Sequence, residues 1–454
     1  MRFLRSLGPD LRLAWLLTQG SDRREWWRVA LTAVGAGLAT GFMLGAAVLA
    51  SVSGRQYRVS LAAGLLDEPG PRSGVMLALL LLLVPVLGFL GQCARIGAVH
   101  RDRRLAGLRL AGASAGQARR IAALESGLAC LVGSAVATVF FVLFLLGLAD
   151  PPALVWVGIA LVGLAIPLLG ALVSALALRR VVASPLGWVR RVRPTAGRGV
   201  YAAYLATALA LLPVGLLVAP GEFGGPGTAP LTAFTVVILT GMGAVWLTGA
   251  TSRLTGRMLA ARSGNPAVLI AAERLRDDPW AAARTHAAVL LVTVVGTGFM
   301  GVRHGLLATL NARGPERLAA SMTFYTTGIN LTGAAIVVAL AITLSGLAVG
   351  AAESLATRRR GLAAQVAAGV PRTVLVRALL LETALPLAPA VLLAGAGGMA
   401  IGVTYTSFAD GGGWGVPYEA LLVPVAVYAL CLLAAATSLP LLRRTLNPAE
   451  LRYA

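Results

Sequence analysis

Apolar stretches of about 20 residues, the length that crosses a hydrocarbon core as a helix, alternate along this chain with short polar and basic segments. They predict ten spans, at 29–52, 75–94, 126–148, 152–178, 200–218, 230–250, 286–302, 328–351, 384–406 and 420–442. The polar segments between them are too short to hold a folded domain of their own. Two amphipathic stretches flank this pattern. Residues 10–19 read as a helix lying in the interface, with Asp10 as N-cap, Leu11, Ala14 and Trp15 on one face and Gly20 as its stop. Leu269, Ala272 and Leu275 recur at helical spacing just before Pro279 and predict a similar helix ahead of span seven. No A-x-A-like site follows the first apolar segment in a suitable place, so it is expected to stay attached.

The pattern repeats. Thr40-Gly41-Phe42-Met43 recurs 257 positions on as Thr297-Gly298-Phe299-Met300, and in the same register Arg103, Gly112, Arg120 and Glu125 recur as Arg360, Gly369, Arg377 and Glu382. One offset held through a span, a loop, a second span and a basic loop implies duplication. The displacement is six spans, an even number, so both copies enter the membrane in the same direction as parallel repeats. The expected fold is an all-α polytopic membrane protein with two parallel four-helix repeats joined by two connector helices. Its segments are a first repeat at 1–198, connector spans five and six at 199–262, and a second repeat at 263–454.

Charge fixes the orientation. Of 39 basic residues, all of them Arg, six fall on one side of the spans: Arg55, Arg58, Arg72, Arg303, Arg313 and Arg317. Arginine excess marks the cytoplasmic side, which places both termini inside and predicts a multi-pass protein of the cell membrane. The chain is 57% hydrophobic and 13% charged with a net charge of +21. Replacement of every Lys by Arg fits codon drift in a GC-rich genome, so the charge does not call for nucleic acid as a partner. Without Lys the chain lacks a G-x-x-x-x-G-K-[ST] phosphate loop, so any ATP and Mg must be handled by a partner chain. Cys93, Cys130 and Cys431 fall in apolar segments at irregular spacing, and His100, His286 and His304 are scattered, so neither a metal nor a catalytic constellation is expected. No ionisable residue lies near the middle of a span, which disfavours ion-coupled transport.

Candidate chemistry concentrates in the basic loops 95–125 and 353–382. In each, a short helix is expected to end at Gly112 or Gly369 in a left-handed C-cap, with Ser114 or Pro371 in the turn. A second helix then carries Arg120 or Arg377 toward Glu125 or Glu382 at the membrane surface. Such a knob suits docking in a partner's groove. Its arginines are also explicable as stop-transfer charges beside anionic headgroups, and its glutamates as helix N-terminal charges favoured by the macrodipole.

These loops resemble the FtsX/MacB-like permeases, also called type VII ABC transporter permeases. The family motif reads like R-E-I-G-x-x-[KR]-A-x-G-[AV] with a Glu thirteen residues on. It matches Arg103, Leu105, Arg109, Gly112, Ala113 and Glu125 in the first copy, and Arg360, Leu362, Gly369, Val370 and Glu382 in the second. The closing Arg443, Arg444, Pro448, Leu451 and Arg452 also fit, as do Arg179, Arg180, Pro185 and Arg190 more loosely. The arrangement of four, two and four spans is similar to bacitracin-resistance-type permeases without their large outside domain. The resemblance implies no enzyme activity in this chain. It implies two coupling loops that receive separate ABC ATPase subunits, two per chain, with Leu108, Ser114, Gln365, Pro371 and Arg372 beside the motif residues. Export or extraction of a peptide, antibiotic or lipid would follow, or mechanical signalling without transport. The alternative is a membrane scaffold acting with a sensor kinase, a wall hydrolase or another extracellular partner. The family's acidic residue is replaced by Arg104 and Gly361, so its charged contact to the ATPase is missing in both copies.

Overall fold

A computed structural model describes residues 12, 16, 23–51, 66, 69–93, 107–108, 110–147, 153–177, 229–313, 316, 318, 320–409 and 416–440. Among these residues there is no strand, and eight helices are long and apolar enough to cross a membrane. They coincide with predicted spans one to four and seven to ten. Predicted span five lies outside the described residues, as does most of the stretch 10–19. Predicted span six falls in a long helix that is not among the eight. The chain divides into two compact units, Met1–Val192 and Arg193–Ala454.

In the first unit the helices are α1 (Arg23–Ser51), α2 (Pro69–Leu81), α3 (Leu83–Cys93), α4 (Ala115–Leu146) and α5 (Ala153–Ala177). Helices α2 and α3 form one crossing broken at Leu82, because Pro85 has no N–H to give the carbonyl one turn back. Helix α1 packs on all the others. Its Leu44 meets Val155, Ile159 and Val162 of α5 in the core. Val157, Leu161, Leu164, Leu168 and Leu172 form an exposed stripe along α5. Helical spacing puts these five on one face, which a span presents to lipid. Arg72, predicted to lie in an outside loop, is instead a buried residue of α2 whose Nε donates to the Leu66 carbonyl at 2.8 Å.

The second unit contains α6 (Ala229–Arg262), α7 (Pro266–Asp277), α8 (Pro279–Arg313), α9 (Met322–Thr357), α10 (Arg359–Ala367), α11 (Arg372–Ala409) and, after a 3-10 turn at Tyr418–Leu421, α12 (Leu422–Ala436). Its core gathers Val289, Leu290 and Val294 of α8 with Leu387, Ala390 and Val391 of α11 and Val427 of α12. Ala244 of α6 is buried in the same cluster, so the predicted connector packs as a core element of this unit. Most buried hydroxyls here bond within their own helices, as at Thr248 to Ala244 and Thr293 to Val289, which is how a span satisfies polar groups away from water, while Thr297 Oγ1 is buried without a hydrogen-bond partner. The amphipathic α7 forms behind an Asn265 cap whose side chain accepts from Ala267 N. Its buried residues are Ala267, Ala271, Ala272 and Leu275, and it packs on α6 and α11. Leu269, expected on that face, is exposed because it sits on the opposite side of the helix.

Several helices outrun the pattern that predicts them, α8 and α11 among them. Helix α8 has 35 residues, about 50 Å at 1.5 Å per residue, and continues eleven residues beyond predicted span seven. Helix α11 has 38 residues and starts twelve before predicted span nine. Polarity ends a span, but it does not end a helix.

Candidate functional site

The two knob turns share a left-handed glycine and an outer hydrogen bond. Gly112 has φ +97° and Gly369 φ +88°, the left-handed conformation expected of them. Val370 N donates to Gln365 O and Gly369 N to Val366 O, the pair of bonds that closes a Schellman turn. In the first copy Ala113 N donates to Leu108 O, the equivalent outer bond. A Cβ at either glycine would meet nothing within 4 Å, so the backbone conformation, not crowding, selects glycine there.

After each turn the chain enters a helix at once. Ser114 caps α4, its Oγ accepting from Gln117 N at 3.1 Å, and the Pro371 carbonyl accepts from Val374 N and Leu375 N. The expected separate second helix of each knob is the first part of a membrane-length helix, α4 or α11, so the turn sits on the end of the span's own helix. Leu108 packs against Ala118 and Ala122. Val370 packs on the cluster of Leu355, Leu362 and Leu375. Gly112, Ser114, Gly361, Gly369, Pro371, Arg372 and Arg377 are exposed, and Leu110 beside the first turn is 83% exposed. Arg120 is half-buried with an electrostatic or hydrogen-bonding partner. Gln365 keeps a buried Oε1 without a hydrogen-bond partner. Arg360 lies in α10. Arg103, Arg104 and Arg109 lie outside the described residues.

The glutamates are ion-paired inside the protein. Each is the eleventh residue of its helix, too far from the first turn for the macrodipole to account for it. Glu125 accepts from the Arg28 guanidinium of α1, and the two residues are only 4% and 6% exposed. Glu382 is held by two arginines, Arg274 of α7 at 3.0 Å and Arg358 at 2.7 Å, with 22% of its side chain exposed. Arg28, Arg274 and Arg358 are the residues that the motif comparison misses. The available signal was an Arg at the start of span one, at the same membrane face as a Glu at the start of span three.

No protein-family model matches the chain, and no curated protein matches it. The geometry therefore carries the functional reading. It consists of two exposed turns, each fixed by a left-handed glycine and each continuous with a span whose base is tied by an ion pair to a neighbouring element. In α4 the helix runs from turn to span without an internal proline, whereas in α11 Pro386 and Pro389 each remove a ladder hydrogen bond along the way.

Proposed function

We propose that the chain is the transmembrane permease subunit of an ABC transporter of the FtsX/MacB-like type, driven by ATP hydrolysis in separate ATPase subunits. The observation that carries the reading is the pair of turns at Gly112 and Gly369, 257 positions apart, with matching φ and matching outer hydrogen bonds. In this reading the two units descend from one four-span module, and residues 200–218 together with the first part of α6 complete ten spans. The repeats run parallel, and the basic ends face the cytoplasm of a cell-membrane protein. Each knob receives one ATPase. Closure of the ATPase pair moves α4 and α11 as levers, and the half-bundles export or extract an amphiphilic molecule or transmit force across the membrane. The missing acid at Arg104 and Gly361 requires a docking groove that reads the turn by shape and apolar contact, for which Leu110 is placed.

Co-purification tests this. The full chain should bring down an ATPase from its native membrane, Gly112→Val or Gly369→Val should weaken the association, and the double variant should abolish it while inserting normally. Retention of the ATPase in wild-type amount by an inserted double variant would remove the coupling role. Orientation is checked separately: cysteines at positions 58 and 317 should label from outside intact cells, and cysteines at 104 and 372 should not.

A further inference from the structure

The base of the second unit holds a partly open cavity of about 130 Å³ among α7, α8, α9, α11 and α12. It is close in size to the roughly 150 Å³ engineered cavity that takes up benzene, so a small headgroup fits. Its walls divide by chemistry. Arg274, Arg358, Asp278 and Glu382 contribute two positive and two negative charges, while Leu347, Ala351 and Leu379 are among the apolar residues that line the rest. Glu382 already pairs with both arginines, so a ligand of a single charge competes with one side of that network, whereas a zwitterion offers a counter-charge to both sides.

His286 decides which zwitterion. It lines the cavity, is 3% exposed and stands 2.7 Å through Nδ1 from the Ala282 carbonyl. A carbonyl only accepts, so Nδ1 carries the proton and Nε2 is left as an acceptor. Nε2 is buried and has no hydrogen-bond partner. A buried acceptor without a donor costs about 1–3 kcal/mol, and a ligand N–H removes that cost. A primary ammonium brings such a donor, while a quaternary ammonium has none.

We infer that this cavity binds a phosphoethanolamine headgroup, its phosphate toward Arg274 and Arg358 and its ammonium toward Glu382, Asp278 and His286 Nε2. The apolar walls, at one end of membrane-length helices, favour a membrane aminophospholipid as the source. The inference does not rest on ATPase coupling, and it is tested on the chain without any ATPase.

The experiment is native mass spectrometry of the full chain, delipidated in detergent and then supplied separately with phosphatidylethanolamine, phosphatidylcholine or phosphatidylglycerol. One phosphatidylethanolamine per chain is expected, at about tenfold lower apparent dissociation constant than phosphatidylcholine, the ratio one charge-assisted hydrogen bond supplies. His286→Leu should reduce that preference, the Glu382 and Asp278 carboxylates still accepting from a primary ammonium alone. Ala351→Phe, which fills the cavity and leaves every charge in place, should remove the bound lipid. Displacement by soluble glycerophosphoethanolamine, with no lipid retained, would assign the same headgroup chemistry to a soluble ligand. Equal binding of phosphatidylethanolamine and phosphatidylcholine by the wild-type chain overturns the proposal, and that comparison needs no variant to fold. Undiminished phosphatidylethanolamine on an Ala351→Phe chain that melts like wild type overturns it as well.

Discussion

The two units bring the helix after the knob turn onto the helix that carries the Thr-Gly-Phe-Met motif in opposite ways. In the first unit α1 and α4 are pinned at the knob end. Arg28 of α1 pairs directly with Glu125 of α4, and a Cβ at Gly133 would fall 1.8 Å from the Ala33 carbonyl, so the backbones touch within a turn or two of the ion pair. In the second unit α8 and α11 touch toward the other end, where a Cβ at Gly301 would meet Gly402 Cα at 2.4 Å. At their knob end Glu382 is tied not to α8 but to Arg274 and Arg358, and a cavity occupies the space. The position equivalent to Arg28 is Thr285, whose hydroxyl bonds the Ala281 carbonyl of its own helix. One sequence register thus yields a closed base in one unit and an open one in the other. The point of closest helix approach sets which base has room for a ligand.

The largest effect that sharpens this contrast is expected from the two acids. Glu125→Gln leaves the Arg28 charge buried without its counter-ion and should cost about 3–5 kcal/mol, read as a large fall in the Tm of the purified chain. Glu382→Gln affects a partly exposed network and should cost only about 1 kcal/mol or less. Equal losses would break the distinction between a closed and an open base.

Next come the crossings. Gly133→Ala must push α4 off α1 and should cost about 1–3 kcal/mol by overpacking, as should Gly402→Ala on α11. Gly41, in the repeated Thr-Gly-Phe-Met motif, has nothing within 4 Å of where its Cβ would stand. Gly41→Ala should therefore be neutral or stabilise by up to about 1 kcal/mol, through helix propensity. Thermal unfolding of the three variants separates close approach from glycine content, and a loss at Gly41 as large as at Gly133 would refute the crossing geometry.

The smallest difference is expected at the turns, where the units are most alike. Gly112→Val and Gly369→Val should each cost about 1–2 kcal/mol, because a β-branched residue is forced into the left-handed region. The costs should agree between the two sites, since neither glycine has a neighbour within 4 Å. A large loss at one turn and none at the other, measured by the same unfolding assay, would show that their shared geometry does not carry shared constraints.

By itself the sequence determined eight membrane-length helices and the turns, because both are local. About twenty apolar residues mark a membrane-length helix, and a left-handed C-cap selects glycine from its own φ, so Gly112 and Gly369 were legible from spacing alone. The helix of α7 was legible too, although which face it buries depends on α6 and α11 beside it. What joins distant segments was not legible. The change from polar to apolar near 126 and 384 marks where a helix enters the membrane, yet the helix continues through it in both copies, without a proline in α4 and past Pro386 and Pro389 in α11. The counter-ions of Glu125 and Glu382, and the donor that His286 lacks, depend on how closely particular backbones approach. Only tertiary structure decided that, because helix contact distance depends on which small residues face each other across two helices, a property of pairs that hydropathy along one chain does not contain.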